Sequence, residues 1–126
     1  MAAIRGRDTG PELVVRRLVH GMGFRYRLHG KGVVGRPDLV FRRRRKAIFV
    51  HGCFWHFHEG CSNYREPKSR LDFWHPKLRR NRERDLEVQR RLASDGWDVL
   101  VVWECEIGDT RALQVRLRTF LEADSP

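Results

Sequence analysis

Long apolar runs are missing from this sequence. No stretch reaches the roughly 18 residues that a membrane-spanning helix requires, and the N-terminal residues include no apolar core of a secretory signal. These absences exclude an integral membrane protein and predict a cytoplasmic location. Repeats, linkers and low-complexity tracts are missing as well, so the 126 residues are expected to form a single domain that spans positions 1–126.

Cysteine and acidic residues are both in short supply. Three cysteines are an odd number, which excludes complete disulfide pairing and favours thiols or metal ligands in a reducing compartment. The 16 acidic residues are outnumbered by 26 lysines and arginines, which gives a net charge of +10. Such an excess favours a polyanionic partner, with nucleic acid as the first candidate. A ribosomal or merely basic soluble protein is the alternative.

The segment 48–61 combines residues that packing alone does not require. Its apolar start is typical of a buried strand. Cys53, His58 and Cys61 then offer three soft metal ligands within nine residues. Cys105, which follows another apolar run, completes a Cys₃His set of the kind that holds structural zinc. The alternative is three buried free thiols, which are common in protein cores.

The hydrophobic pattern predicts a mixed sheet covered by helices, an α/β fold. Thr9 is the expected cap of the first helix, and Asp109 or Thr110 caps the last one. A basic run at 42–46 separates two apolar segments, which predicts a hairpin with an exposed turn. The expected elements are a helix from Thr9 to about Met22, a half-buried strand at 24–28, hairpin strands at 38–41 and 47–50, a long helix from Pro76 to about Asp95, a buried central strand at 97–103 and a final helix.

Three features of this pattern allow two interpretations each. Glu12 completes a capping box, but its carboxylate could also reach a metal-bound water. The basic turn at 42–46 is either a solvated tip or a contact for phosphates. Asp85 lies beside the apolar stripe of the long helix, where a salt bridge to Arg82 or Arg84 competes with a functional role.

The predicted hairpin places Asp38 and His51 at the same end of neighbouring strands. Its sequence resembles the hairpin of restriction-type nucleases, which carry Pro-Asp on one strand and Glu-x-Lys on the next. Asp38 matches the first carboxylate of that pattern, whereas Phe49 and His51 stand where the second carboxylate and the lysine are expected. Pro-Asp dipeptides are frequent at turns, so this resemblance is not specific on its own.

Four motifs together resemble the very-short-patch-repair mismatch endonucleases. They read Gly-Arg-Pro-Asp at 35–38, Phe-Val-His-Gly-Cys-Phe-Trp-His at 49–56, Asn-Arg-Glu-Arg-Asp at 81–85 and Gly-Trp-Asp-Val-Leu-Val-Val-Trp-Glu-Cys at 96–105. The resemblance runs from about Arg7 to Phe120, nearly the whole chain. It implies a restriction-endonuclease-like fold and a Mg²⁺-dependent enzyme with structural Zn²⁺. Members of that family nick one strand of duplex DNA beside a thymine mispaired with guanine.

The resemblance also implies roles for individual residues. Asp38 corresponds to the magnesium-binding aspartate, and Val50 stands where the family commonly has a threonine whose backbone carbonyl binds the metal. Any residue supplies a carbonyl, so this ligand survives the replacement. The other implied catalytic residues are His51 beside the metal site, His56 for the attacking water, Asp85 to orient His56, and Glu12 near the metal-bound waters.

The family also implies contacts with zinc and DNA. Its N-terminal arm embraces the minor groove, and here this arm is expected to be short, with Met1 near the position of an inserting residue. The expected zinc ligands are Cys53, His58, Cys61 and Cys105, the expected DNA-intercalating aromatics are Phe54, Trp55 and Trp74, and the expected contacts to the DNA backbone are Lys68, Arg70 and Asn81.

The aromatic residues and the activity each have a competing interpretation. Phe54, Trp55 and Trp74 are either core residues or wedges that enter the base stack beside a mispair, where stacking is already weak. The chain could instead be a non-catalytic zinc-stabilised DNA-binding module, or a restriction-type or homing-type nuclease that cuts intact sites. We expect a monomer that is associated with the nucleoid and open to recruitment by other repair proteins.

Overall fold

The computed structural model describes residues 9–56, 58, 61 and 68–123, and it confirms the expected α/β class. Within these residues, three α-helices surround one four-stranded sheet. No helix in this part of the chain has the length and apolar character that spanning a membrane requires. In chain order the elements are α1 (Gly10–Gly21), β1 (Arg27–Leu28), β2 (Leu39–Phe41), β3 (Lys46–His51), α2 (Leu71–Ser94), β4 (Asp98–Trp103), a 3₁₀ turn (Glu104–Glu106) and α3 (Thr110–Glu122).

The strands of the described sheet pair in the order β1-β2-β3-β4. β2 and β3 form the predicted antiparallel hairpin, with Leu39 opposite Ile48. β3 and β4 run parallel and end with His51 opposite Trp103. A parallel pair needs a long crossover connection, which α2 provides. The ends of β3 and β4 therefore meet at one edge of the sheet, beside the start of β2.

Helices cover both faces of the sheet, and the side chains of β3 alternate between these faces. Ile48 joins the larger hydrophobic cluster, formed with α1 and α3, while Ala47 and Phe49 join the smaller one, formed with α2. The buried members of the larger cluster are Val15, Val19, Leu39, Phe41, Ile48, Val102, Leu113, Leu117 and Leu121, and those of the smaller are Val33, Val40, Ala47, Phe49, Leu92 and Trp97.

The first and last helices begin where the capping residues predict. The N–H of Glu12 donates to Thr9 Oγ1 at 3.3 Å, and the N–H of Ala112 donates to Asp109 Oδ1 at 3.1 Å. Asp109, rather than Thr110, is thus the cap of α3. Each cap satisfies one of the N–H groups that lack a partner in the first helical turn.

The prediction that α2 starts at Pro76 is wrong, because the helix begins at Leu71. Proline is common in the first helical turn, which made Pro76 a plausible start. The preceding residues are nevertheless helical, since Phe73 and Trp74 each donate an N–H to the Arg70 carbonyl at 3.0 Å. Pro76 therefore lies inside the helix at the cost of one backbone hydrogen bond. The earlier start places both aromatic residues on α2.

The predicted exposed basic turn is wrong at its last residue. Arg42 to Arg45 are exposed, but Lys46 opens β3 and is only 2% exposed. Its Nζ donates to the Phe120 carbonyl at 2.6 Å and lies 3.4 Å from Asp98 Oδ2. The alternation of β3 turns Lys46 towards α3, and these contacts compensate the burial of its charge.

Two arginines of this turn bind the ends of helices. Arg44 Nη1 donates to the Leu121 carbonyl at 3.0 Å, and Arg45 Nη2 donates to the Asp95 carbonyl at 2.8 Å. Leu121 lies in the last turn of α3, and Asp95 follows the last residue of α2. Carbonyls at helix C-termini lack intrahelical partners and favour cations. The turn therefore also stabilises the fold, which neither interpretation of its sequence anticipated.

β4 lies at the edge of the described sheet, so the prediction of a central strand is wrong. Val102 is its one fully buried residue. The apolar run is continuous because α2 packs on one face of β4 while Val102 joins the cluster of α1 and α3 on the other. The strand predicted at 24–28 is also shorter than expected, since β1 comprises Arg27–Leu28 alone.

Candidate active site and metal centre

One edge of the sheet carries a cavity of about 240 Å³. The Gly-Arg-Pro-Asp loop, the end of β3, the loop after β3 and the middle of α2 form its lining. Asp38 and His51 lie there together, as the hairpin predicts. His56 and Asp85 line the same cavity although they are 29 residues apart in the sequence. The fold therefore gathers these four side chains into one site.

His56 and Asp85 form a hydrogen-bonded pair, with His56 Nδ1 2.5 Å from Asp85 Oδ2. Asp85 faces the sheet because it lies seven residues, about two helical turns, after the buried Leu78 of α2. The carboxylate accepts the Nδ1 proton, which leaves the lone pair on Nε2. His56 is thus arranged to take a proton from a water molecule in the cavity.

His51 lies against His56 as a neutral ring. The two ring centroids are 3.8 Å apart, and the planes differ by 4°. Burial and, to a lesser extent, the proximity of His56 lower the pKa of His51 to about 4, with Asp85 opposing the shift. His51 is therefore uncharged near neutral pH, and it does not repel a positive charge that develops on its neighbour.

Asp38 and Glu12 form an acidic pair at this edge. Burial raises the pKa of Asp38 to about 7, and the negative charge and hydrogen bond of Glu12 add to the rise. The N–H of Val50 opposes it by donating to Asp38 Oδ2 at 2.7 Å. Glu12 is itself only 2% exposed. Two carboxylates in contact, one buried and one partly buried, favour a hard divalent cation, because Mg²⁺ and Ca²⁺ prefer oxygen ligands.

The backbone carbonyl of Val50 can supply a third oxygen ligand. The N–H and C=O of one strand residue point to the same side of the strand. Because Val50 donates its N–H to Asp38, its carbonyl also points to the side where the acidic pair lies. The two carboxylates and this carbonyl are oxygen donors, a set that fits Mg²⁺ better than a soft metal. His51, His56 and Asp85 form a separate group of ligand-type residues in the same cavity, with donor atoms within 4.8 Å of one another.

A second cluster of ligand-type residues lies just beyond the ends of β3 and β4. The donor atoms of Cys53, His58, Cys61 and Cys105 all lie within 4.8 Å of one another. Cys61 Sγ is 3.7 Å from Cys53 Sγ, and Cys105 Sγ is 3.7 Å from His58 Nδ1. A tetrahedral site with Zn–S bonds of about 2.3 Å has edges of about 3.8 Å. The geometry therefore suits a closed zinc-type site.

The parallel register of β3 and β4 explains how this cluster forms. His51 is opposite Trp103, so Cys53 and Cys105, each two residues further on, are brought side by side. The N–H of Cys53 also donates to Glu104 Oε1 at 3.3 Å. Burial is the main reason that the pKa of the Cys53 thiol rises to about 12. A bound cation would offset this effect by stabilising the thiolate.

Trp103 connects the cysteine cluster with the histidine pair. The His58 ring stacks on Trp103 with centroids 3.9 Å apart and planes that differ by 5°. The Trp103 ring then meets His51 edge-on at 5.3 Å. One indole therefore packs against a ligand-type residue of the cysteine cluster and against a residue of the catalytic cavity.

Phe54, Trp55 and Trp74 form an aromatic cluster with centroid separations of 5.1 to 6.0 Å. The rings meet edge to face, and none of the three is fully buried or belongs to either core cluster. Phe73, which the sequence did not single out, extends the aromatic cluster and is 45% exposed. The Lys77 ammonium lies 5.7 Å from the Phe73 ring, a cation–π distance.

Of the residues expected to contact the DNA backbone, Arg70 and Asn81 contact residues of this aromatic cluster. Lys68 and Arg70 are exposed, and the Arg70 guanidinium lies over the Phe73 ring at 5.0 Å. Asn81 is partly buried, and its Nδ2 donates to the Trp55 carbonyl at 3.3 Å. Asn81 therefore also holds the loop that carries Trp55, a contact that its sequence position did not reveal.

Comparison with known proteins places these features in a family. Residues 1–63 match the family model described as DNA mismatch endonuclease Vsr. Over 97% of its length, the chain is 52% identical to the type II nicking enzyme V.XorIIP of Xanthomonas oryzae pv. oryzae, and the match covers 89% of that protein. The chain belongs to the DNA mismatch endonuclease Vsr family.

A second relative of this Vsr-family chain and one solved structure with a similar fold also support a DNA endonuclease. The DNA mismatch endonuclease Vsr of Escherichia coli is 43% identical over 85% of the chain and 68% of its own length. The catalytic domain of the homing endonuclease I-Bth0305I has a similar structure, with a TM-score of 0.59 over 90% of the chain and 94% of that domain, at 21% identity. The expected restriction-endonuclease-like fold is thereby confirmed, and the chain is a DNA endonuclease.

Four residues that line the cavity or contact Glu12 were not assigned to the site from the sequence. Arg36 and Arg84 line the catalytic cavity, while Arg16 and His29 contact Glu12. Arg36 is the second residue of the Gly-Arg-Pro-Asp motif, so that motif could have indicated it. Its φ of 48° is uncommon for a residue other than glycine. Arg16 follows Glu12 by four residues on α1, a spacing that favours an ion pair and could have indicated this contact. No sequence signal connects His29 with Glu12, because the two residues are 17 positions apart and meet only in the folded chain.

Proposed function

We propose that this Vsr-family endonuclease nicks one strand of duplex DNA beside a T·G mispair, in a Mg²⁺-dependent step of very short patch repair. The His56–Asp85 pair, held beside Asp38 in one cavity, carries the proposal. Phosphodiester hydrolysis needs a base for the water and a cation for the phosphate, and the cavity offers residues for both. One relative is described as a mismatch endonuclease and another as a nicking enzyme, which supports the reaction type.

In this proposal Asp38 and the Val50 carbonyl would hold Mg²⁺, with Glu12 beside them as a further carboxylate of the site. When bound, the ion neutralises charge on the phosphate and on the leaving oxygen. Val50 replaces the threonine that is common in the family, yet its carbonyl remains on the side of the acidic pair. We therefore expect the metal site to tolerate this replacement.

His56 acts as the general base. Its Nε2 takes a proton from water while Asp85 holds the tautomer and stabilises the imidazolium. The water oxygen forms a new bond to phosphorus, and one P–O ester bond breaks, which leaves a nick. Neutral His51, stacked on His56, can donate an N–H to the phosphate without opposing proton uptake.

Arg36 and Arg84 hold the phosphate in this proposal. They line the cavity from the Gly-Arg-Pro-Asp loop and from α2, and neither guanidinium hydrogen-bonds within the described part of the chain. Arginine suits this task because its planar fork binds two phosphate oxygens at once. Restriction-type hairpins carry a lysine where this chain has His51, so the two arginines supply positive charge that the hairpin lacks.

Recognition of the mispair is assigned to Phe54, Trp55 and Trp74. Inserted aromatic rings unstack a mispaired base step at lower free-energy cost than a paired one, so they recognise the weaker stacking at the mispair. Cys53 and His58 flank the first two aromatics in the sequence. Structural Zn²⁺ bound by Cys53, His58, Cys61 and Cys105 would therefore stiffen the loop that carries them.

Contacts to the DNA backbone are assigned to Lys68, Arg70 and Asn81. The first two side chains are exposed cations, and Arg70 lies over the Phe73 ring of the aromatic cluster. Because Asn81 Nδ2 already binds the Trp55 carbonyl, its contact with DNA would use Oδ1 or a bridging water. The net charge of +10 adds affinity for any duplex.

We further propose that residues 1–126 act as one domain and as a monomer. A duplex DNA substrate places the protein in the cytoplasm at the nucleoid, where other repair proteins can recruit it. The similarity to a homing endonuclease concerns the fold alone and does not favour cleavage of intact sites. A non-catalytic binding module gives no reason for the His56–Asp85 pair beside Asp38.

A nicking assay on labelled duplexes tests this function. Two duplexes with the same varied flanks carry either a T·G or a T·A pair, and they are incubated with zinc-loaded protein, with and without Mg²⁺. We expect a single-strand nick in the T·G duplex alone, only with Mg²⁺, and none with Asp38→Ala. Cleavage of both duplexes would support a restriction-type nuclease, and binding without any nick would support a DNA-binding module.

A further inference from the structure

Arg16 and His29 converge on the carboxylate of Glu12 from two parts of the chain. Arg16 Nη2 and His29 Nε2 both contact Glu12 Oε2, the latter at 3.1 Å. The two nitrogens are themselves 3.2 Å apart, so the three groups are compact. Arg16 is 14% exposed and His29 is 23% exposed, while Glu12 is 2% exposed. Two partly buried donors therefore lie between this carboxylate and solvent.

His29 also connects the two acidic residues through its backbone. Its N–H donates to the Asp38 carbonyl at 3.0 Å, just beyond the end of β1. Its φ of 54° lies in the left-handed region, which non-glycine residues seldom adopt. His29 thus joins the main chain of Asp38 to the side chain of Glu12. His29 therefore contributes to the relative position of the two carboxylates.

We propose that Arg16 and His29 are positioning residues that hold Glu12 beside Asp38 and thereby set the affinity of the catalytic metal site. The inference rests on the Mg²⁺ site of the proposed function. Two ionised carboxylates in contact repel each other, and donors on one of them oppose its displacement. Partners that hold a metal ligand typically change metal affinity by about 10- to 100-fold when they are removed.

The substitutions must remove the side-chain contact with Glu12 without disturbing the backbone conformation. His29→Asn suits this purpose, because asparagine tolerates the left-handed conformation while its shorter amide does not reach Glu12. His29→Gln has a longer amide that reaches the carboxylate. Arg16→Gln removes the guanidinium, and Arg16→Lys keeps a charged donor if the first variant fails to fold.

The experiment titrates the zinc-loaded full chain with Mn²⁺, a probe for the magnesium site, and measures bound ion by water-proton relaxation. His29→Asn and Arg16→Gln should raise the Mn²⁺ dissociation constant about tenfold or more, whereas His29→Gln should remain within about threefold of the parent protein. Arg17→Gln and His20→Ala, exposed neighbours on α1, are the matched controls and should change nothing. Circular dichroism and melting temperature check that each variant is folded.

Two further variants separate the positioning role of Arg16 and His29 from the metal site itself. In Glu12→Ala, the additional change Arg16→Gln should not change the Mn²⁺ dissociation constant further, because Arg16 acts through Glu12. If Asp38→Ala still loses the ion, two results would overturn the inference: unchanged Mn²⁺ affinity in folded His29→Asn and Arg16→Gln, or a further loss of affinity when Arg16→Gln is added to Glu12→Ala. Normal affinity in Asp38→Ala would overturn the metal site itself.

Discussion

The two stacked histidines differ in their neighbours, and this difference separates their roles. His56 has Asp85 at 2.5 Å, and this hydrogen bond orients its ring and fixes its tautomer. His51 is 5% exposed, and burial keeps it neutral. Asp38, with a pKa raised to about 7, is poised to exchange its proton for a metal ion. Environment, more than residue type, therefore distinguishes base, donor and ligand.

Removal of the Asp38 carboxylate should abolish catalysis but leave DNA binding intact. Asp38→Asn should abolish nicking and leave duplex affinity largely intact, because the group serves the metal rather than the DNA backbone. His56→Ala and Asp85→Ala should slow single-turnover nicking by roughly 10²-fold or more, as losses of general bases do. His20→Ala is the control, an exposed histidine on α1. A normal nicking rate in Asp38→Asn would contradict the metal site.

The role of Arg36 and Arg84 can be tested through the salt dependence of duplex binding. Arg36→Ala and Arg84→Ala should each weaken duplex binding and reduce the slope of log affinity against log salt by about 1, the value for one phosphate contact. Arg80→Ala, an exposed arginine elsewhere on α2, is the matched control. Affinity is measured by fluorescence anisotropy at several salt concentrations. Slopes that stay equal to that of the parent protein would place the phosphate away from these residues.

At the scale of elements, the parallel pairing of β3 and β4 does most to build the site. It aligns Cys53 with Cys105, while the hairpin brings Asp38 beside β3. α2 then covers the same face and delivers Asp85 to His56. β3 and the segment after it supply most of the groups of the two clusters, so both clusters depend on the register of this one strand.

The cysteine cluster should bind one zinc per chain, as a closed four-ligand site does. Elemental analysis of purified protein tests the stoichiometry. Removal of the zinc by a chelator should lower the melting temperature and make all three thiols titratable. The substitution Cys105→Ser should weaken retention of the metal, because the 3₁₀ turn would no longer be tied to the loop after β3. Zinc-free folded protein with three reactive thiols would exclude the assignment.

Lys46 should be important for stability despite its place in a basic run. Lys46→Ala should lower the free energy of unfolding by about 2–4 kcal/mol, because the Phe120 carbonyl and Asp98 lose a buried donor. Arg43→Ala, in the exposed turn, should change it by less than about 0.5 kcal/mol. Urea denaturation of the zinc-loaded proteins compares the two. Equal small effects would mean that the Lys46 ammonium is not confined as the structure has it.

At the scale of the whole molecule, affinity and discrimination belong to different surfaces. The net charge of +10 attracts any duplex and gives no preference for a mispair. The aromatic cluster lies outside both hydrophobic cores and is partly exposed, so it can meet a base stack. Discrimination is therefore expected to depend on a few rings, and affinity on many charges.

Trp55→Ala and Trp74→Ala should erase the preference for T·G over T·A duplexes while leaving the melting temperature nearly unchanged. The control is Trp97→Ala, since Trp97 is 9% exposed and lies in the smaller core cluster. Its loss should destabilise the fold by about 3–5 kcal/mol. Competition binding and thermal melting are measured for all three. If the first two variants unfold, or keep full preference, the rings are core residues and not wedges.

The sequence by itself determined the features that depend on near neighbours. Thr9 and Asp109 cap their helices because each side chain reaches an N–H three residues on. The leucines of α3 recur every four residues and are buried together. The spacing of Cys53 and Cys61 likewise anticipated a shared cluster. Such contacts lie within one turn or one loop, so residue spacing alone contains the information.

Only the tertiary structure decided which distant residues meet. His56 and Asp85 are paired because α2 crosses the sheet face, and Glu12 meets His29 because α1 packs beside β1. Lys46 is buried, although the same lysine one position earlier would lie in the exposed turn. Burial and hydrogen-bond partners are set by segments far apart in the chain, and the periodicity of any one segment does not encode its neighbours.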